Sequence, residues 1–265
     1  RERLCQVQLA LGWVFAATCV AFAVAADFAV PYRDDWGFLA NVSAPLSFGA
    51  ISQRVNEHFV PLPWLLTRVH FVLEGAVGPL MLVAALAFQA AAVAVVLQAV
   101  HARWRDDRAT ARLVSGAVLS LLWFAYQLQS FVFDAAVMFP MVQTFATAAV
   151  ASHLAGLEAT TSSTRRRWMI AAAVACLGAV LSTTSGLAVP WILVLMSLLH
   201  RERLRSVLPL VGLGMVALVA YLGLTAGAWR DADQPPTTPG TALEFFLAFP
   251  ASFVAHLGSA AAIVT

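Results

Sequence analysis

Two carboxylates stand side by side in PYRDDWGFL, residues 31–39, at the point where a long apolar segment ends. Trp36 and Phe38 follow Asp34 and Asp35, and aromatic residues there fold a loop back against an apolar surface. Neighbouring carboxylates raise one another's proton affinity, and partial burial adds to this. An aspartate lifted from its usual value of about 3.9 accepts a proton near neutral pH, which is the work of a general base. In an extended segment consecutive side chains point to opposite faces, so the two acids take different roles. One faces a reacting group, and the other orients a cation such as Arg33 or Arg54. Asp35 is the first candidate for the base and Asp34 the second. A solitary acid at such a place would simply be solvated; the pairing is what suggests chemistry.

A second stretch, RVNEHFVPLPW at residues 54–64, adds Arg54, Glu57 and His58, with Arg68, His70 and Glu74 close behind. Arg54 and Arg68 suit an anionic phosphate through forked hydrogen bonds, although arginine at an interface also snorkels to lipid headgroups. Glu57 and His58, together with Asp34, have the donor types for a divalent cation such as Mg²⁺ or Mn²⁺. The same pair would also contact a sugar or phosphate, or cap the helix that follows. A third stretch, YQLQSFVFDAAVMFP at residues 126–140, holds Gln127, Gln129 and Asp134. It reads as a tight external turn or as the lining of a cavity, with Gln129 the candidate substrate contact. His101, His153 and His200 fall at helix ends or inside apolar runs and receive no chemistry.

These residues need elements to position them, and composition says what kind. Of 265 residues 61% are hydrophobic and 11% charged, with a mean hydropathy of +0.81. A soluble domain this apolar could not cover its surface with polar groups, so the chain belongs in a membrane. Cys5, Cys19 and Cys176 lack metal-ligand or redox spacing and read as small apolar residues. A spanning helix needs about 20 apolar residues. Runs of that kind predict helices near 8–30, 76–100, 113–128, 137–157, 207–227 and 245–265. The stretch 168–200, broken by STTSG at 182–186, predicts two shorter helices, 168–182 and 187–200. The first run is too long for a signal-peptide core. The whole is an all-α, polytopic transmembrane helix bundle forming a single domain over 1–265.

All 16 basic residues are arginine, and their distribution sets the orientation. Arg1 and Arg3 share a side with the loops 101–112, 160–168 and 200–205 if segment 58–73 does not cross. Twelve of the 16 arginines then face the cytoplasm, as the positive-inside rule requires. Pro61, Pro63, Arg68 and His70 within that segment suit an amphipathic helix lying at the interface. The first external loop accordingly runs over 31–75, and long ordered loops carry function. Residues 230–246 read as a Pro-rich external loop. The chain stops at Thr265 within an apolar run, which predicts a further C-terminal part.

The pieces YRDDWGFL (32–39) and NEHFVPLPW (56–64), the Arg-rich inner loops and the broken LSTTSGLAVPWILVL (181–195) together resemble the GT-C superfamily of membrane glycosyltransferases. The likeness spans the visible chain as topology and about twenty residues as motif. It implies transfer of a sugar from a polyprenyl-phosphate-linked donor, on the outer face of the cell's inner (plasma) membrane, to a hydroxyl of a glycan, lipid or protein. An Asp of the first loop would act as general base, with inversion at the anomeric carbon. Departing polyprenyl phosphate keeps its negative charge and calls for Arg54 and Arg68, or a metal, to stabilise it. Full members of that superfamily carry more helices and often a soluble C-terminal domain. No nucleic-acid partner is expected. Other layouts compatible with the same spans are a transporter or lipid-linked-sugar flippase, and a non-catalytic subunit of a membrane complex. The topology is tested by labelling: Asp35→Cys should react with an impermeant maleimide from outside, and Arg166→Cys only after permeabilisation.

Overall fold

The computed structural model describes residues 2–25, 42–43, 45–47, 51, 54–55, 58–75, 79–123, 137–202 and 204–225. It is helical, apart from one pair of two-residue strands. In chain order the elements are α1 (Glu2–Ala25), β1 (Arg54–Val55), β2 (His58–Phe59), α2 (Pro61–Glu74), α3 (Leu80–Arg103) and α4 (Arg108–Leu122). Then come α5 (Met138–Glu158), α6 (Ser162–Ser182), a 3-10 turn (Thr184–Ala188), α7 (Val189–Leu199) and α8 (Leu204–Thr225). By contact the chain divides into Arg1–Leu224 and Thr225–Thr265; the bundle below belongs to the first unit.

Three of these helices, α1, α3 and α8, are long and apolar enough to cross a membrane. Their packing follows the logic of a lipid solvent. In α1 the buried positions are Cys5, Gly12, Ala16, Cys19 and Ala23, a seam of small residues at spacings of three, four and seven. Its large side chains, among them Trp13, Phe15 and Phe22, are exposed. With no hydrophobic drive to bury large groups in lipid, small residues go inside because they let backbones approach.

Helices α1 and α4 approach each other closely. A methyl group on Gly116 would lie 2.5 Å from the carbonyl oxygen of Gln8, and one on Gly12 would lie 2.7 Å from that of Gly116. Arg112 Nη1 also meets Glu2 Oε1 at 2.8 Å. The pairs 2 with 112, 8 with 116 and 12 with 119 rise together, so α1 and α4 run parallel. α3 runs the other way: Gln89, the tenth of its 24 residues, donates from Nε2 to the carbonyl of Leu122 at the end of α4 (2.6 Å). The end of α1 and the start of α3 therefore share one end of the bundle. The chain between them, α2 included, returns to the end it left. At 14 residues α2 is about 21 Å long, short of a span.

Helix α5 runs parallel to α3, where Thr144 Oγ1 donates to Phe88 O (2.5 Å), and α6 returns against it. Gly178 lies under Phe145 and Gly156 under Met169, which places the α5–α6 turn at the basic end. The polar break expected at 182–186 is present and partly buried. Ser182 and Thr183 are fully buried, and Ser182 Oγ donates to Gly178 O at 2.7 Å. Gly186 sits so close to Ala179 O that a Cβ there would be 1.9 Å away.

Helix ends differ from the hydropathic boundaries, and capping is the reason. α4 starts at Arg108, inside the charged loop, because Asp107 accepts from Thr110 N (3.0 Å). α6 starts at Ser162 because Thr161 accepts from Thr164 N (3.3 Å), drawing Arg165–Arg167 into the helix. Hydropathy marks where lipid begins; the cap marks where hydrogen bonding begins. The expected span at 245–265 lies outside the described residues.

The glycine contact gives a sign test. Gly116→Ala, which forces a Cβ into the backbone of α1, should destabilise by about 2 kcal/mol. Gly212→Ala, with open space around it, should be neutral or stabilise by up to about 1 kcal/mol through helix propensity. Thermal unfolding in detergent compares the two.

Candidate functional site

At the end of the bundle opposite the Arg-rich loops, a two-stranded hairpin runs into a helix. β1 and β2 pair antiparallel, Arg54 with Phe59 and Val55 with His58. Only two residues link them, the shortest common hairpin connection. α2 follows almost at once. Its Pro61 stands where an N–H would have no helical partner, and Pro63 stays within the first turn, where proline is tolerated. The helix is oriented by its inward positions Pro61, Pro63, Trp64, Thr67 and His70, all buried. Trp64 packs with Val42, Val60 and Met138, and Thr67 Oγ1 lies 4.0 Å from Met81 Sδ. α2 thereby rests on α3, α5 and α6.

Its amphipathic sense is specific. Thr67 and His70 face the bundle, whereas Leu65, Val69, Val72 and Leu73 are exposed. The polar side is turned towards protein and the apolar side outward, which suits a helix whose free face meets acyl chains.

The ionisable groups of α2 are held in place. His70 Nδ1 lies 3.1 Å from Glu74 Oε2 one turn on, and the same oxygen accepts the backbone N–H of Leu80 at 3.0 Å. Glu74 thus supplies a carboxylate to the first turn of α3, where backbone N–H groups lack helical partners and negative charge is favoured. Between the two helices Gly75 adopts φ +79° and ψ −144°, a conformation accessible essentially to glycine alone. Arg68 donates from Nη1 to the carbonyl of Val42, tying the loop to the helix. A carboxylate that orients a buried imidazole is the arrangement proton-transfer sites use; here it also forms the α2–α3 joint.

Of the residues singled out from sequence, Arg68 is thus placed at the α2 end. Arg54 and His58 lie in the hairpin backbone next to it. Asp34, Asp35, Glu57 and Gln129 lie outside the described residues. Among the described residues no cluster of three His, Cys, Asp or Glu could hold a metal ion. The His70–Glu74 pair was legible as an i, i+4 spacing; that it is buried was not.

A second polar cluster lies at the other end. His153 on α5 is fully buried, with Nε2 2.8 Å from Ser197 Oγ on α7. Ser197 Oγ in turn donates to Leu193 O at 2.9 Å. With its only proton committed to that carbonyl, the hydroxyl accepts from the imidazole, so the pair is a structural clamp and not an activated nucleophile. Nearby Arg165 Nη2 meets Glu202 Oε2 at 2.5 Å and Ser206 Oγ adds 3.2 Å. The hydrogen bond from Arg165 holds the Glu202 carboxyl below the usual range. The separation of 44 positions from His153 to Ser197 hid this pair, since no local spacing announces it.

Comparison of the chain with protein-family models, curated proteins and solved structures gives no match. Function is therefore read from chemistry and geometry alone.

Glu74 is the testable member of the α2 end. Glu74→Ala removes the partner of both His70 and Leu80 N–H and should cost about 1–2 kcal/mol. Glu74→Gln, which keeps an acceptor oxygen, should recover most of that loss in the same thermal melt.

Proposed function

We propose that the chain is a membrane glycosyltransferase of the GT-C kind. It moves a sugar from a polyprenyl-phosphate-linked donor to a hydroxyl acceptor at the outer face of the membrane. Asp35, with Asp34 beside it, withdraws the hydroxyl proton. The hydroxyl oxygen attacks the anomeric carbon from the face opposite the carrier, and the carbon–oxygen bond to phosphate breaks with inversion. Arg54 and Arg68 balance the charge left on the carrier phosphate. Glu57 and His58, with Asp34, are the groups that would hold Mg²⁺ or Mn²⁺ if the reaction uses one, and Gln129 contacts the sugar. The N-terminus is cytoplasmic and the membrane is the inner (plasma) membrane.

The observation that carries this reading is the arrangement of the α2 end. A short, non-spanning helix bearing Arg68 lies against α3, α5 and α6, and its apolar face is exposed. The Arg-rich turns gather at the other end. A carrier lipid needs such an edge: a polar headgroup site that its chain can reach sideways.

A transporter or flippase is the second reading, since Gln89 and His153 are buried polar groups within helices. Transport sites sit near mid-membrane. His153 is five residues from the end of α5 and clamped to Ser197, which favours interfacial chemistry over passage.

Asp34→Asn and Asp35→Asn, assayed singly in membranes with a lipid-linked sugar, decide the matter. Removing the base should lower transfer by 10²-fold or more, with thermal stability unchanged. Full activity in both variants eliminates the acid-base role, and solute uptake without covalent product establishes the transporter instead.

A further inference from the structure

Where α3 hands over to α4, at the basic end of the bundle, a cavity of about 340 Å³ is lined by His101, Trp104, Arg105, Arg108, Ala111 and Arg112. No acid contributes to its wall. Asp107 is turned to its own helix, where Oδ1 and Oδ2 accept from the N–H and hydroxyl of Thr110 at 3.0 and 2.6 Å. Asp106 lies outside the lining. Arg112 shares its charge with Glu2 at 2.8 Å. Among the described residues Arg105 and Arg108 have no such ion pair, and both are exposed. Trp104 closes α3 as its C-terminal cap and is half-buried; indoles favour the boundary between acyl chain and headgroup.

A concave wall of guanidinium groups beside an indole selects for one chemistry. Arginine presents paired N–H donors that match two oxygens of a phosphoryl group. A mere topology signal would need only dispersed positive charge, and has no use for a cavity. We propose that this cavity binds the phosphoryl headgroup of an anionic phospholipid, in the leaflet at the basic end. The site lies at the end of the bundle opposite Arg68 and is independent of the transfer reaction. Bound lipid there bridges α3 and α4, and through Glu2–Arg112 it steadies the start of α1 as well.

The test uses the full chain in dodecyl maltoside, titrated with phosphatidylglycerol or phosphatidylcholine, and reads the thermal midpoint and lipid adducts by native mass spectrometry. Phosphatidylglycerol should raise the midpoint and phosphatidylcholine should not. In Arg105→Gln/Arg108→Gln the apparent affinity for phosphatidylglycerol should fall on the order of tenfold. The charge-matched control Arg166→Gln/Arg167→Gln, in the next basic turn, should shift it less than about twofold. If the double variant is not recovered folded, Arg105→Gln alone should give about a threefold loss. Inorganic phosphate that competes with the lipid supports headgroup recognition, and phosphate that stabilises as strongly as the lipid assigns the same site to a soluble phosphate. Equal losses in the two double variants, or equal stabilisation by both lipids, would overturn the proposal.

Discussion

Helices α1 and α4 come together until main chain meets main chain, because Gly116 faces Gln8 and Gly12 faces Gly116 with no room for a methyl group. In lipid this contact gains nothing from expelling water; it rests on dispersion between closely apposed surfaces, which grows steeply as they approach. Its consequence is directional. Two helices locked parallel, with α3 antiparallel to them, leave the intervening α2 no net crossing to make. The ends of the bundle are then sorted: arginine-rich turns at one, the hairpin and α2 at the other.

That sorting explains why the polar groups of this chain fall into two kinds. Several of those inside the bundle are spent on structure, although Gln89 Oε1, Ser115 Oγ, Gln143 Oε1 and His153 Nδ1 are buried without a hydrogen-bond partner among the described residues. Gln89 satisfies a terminal carbonyl of α4, Ser182 one of α6, and His153 holds Ser197. In a medium without water a polar group gains most from a protein partner. Those at the ends are the groups able to meet a ligand. At the basic end, arginines surround a cavity. At the α2 end, Arg68, His70 and Glu74 are anchored on a helix whose apolar face is open. The sugar-transfer reading and the lipid-headgroup reading draw on opposite ends and stand separately.

Much of this was legible beforehand. Mean hydropathy and run length gave a helical membrane chain, and the arginine distribution together with two prolines required segment 58–73 to stay on one side. The break at 182–186 was visible as four small polar residues and a glycine in an apolar run. Boundaries were less legible, since Asp107 and Thr161 start their helices several residues inside the charged turns. Spacing hinted at His70–Glu74, and nothing local hinted at His153–Ser197.

By itself the amino-acid sequence determined the solvent, the secondary structure and the sidedness of charge, since each depends on residue type summed over a short window. Tertiary structure alone decided which polar groups meet. It turned Thr67 and His70 inward and Leu65 and Val69 outward, and it gathered Arg105, Arg108 and Arg112 around one cavity. The physical reason is that a helix in lipid carries weak instructions about which face to bury, because apolar residues are at ease on either side. Close backbone approach at a few glycines, and the demand that buried donors find acceptors, make that choice.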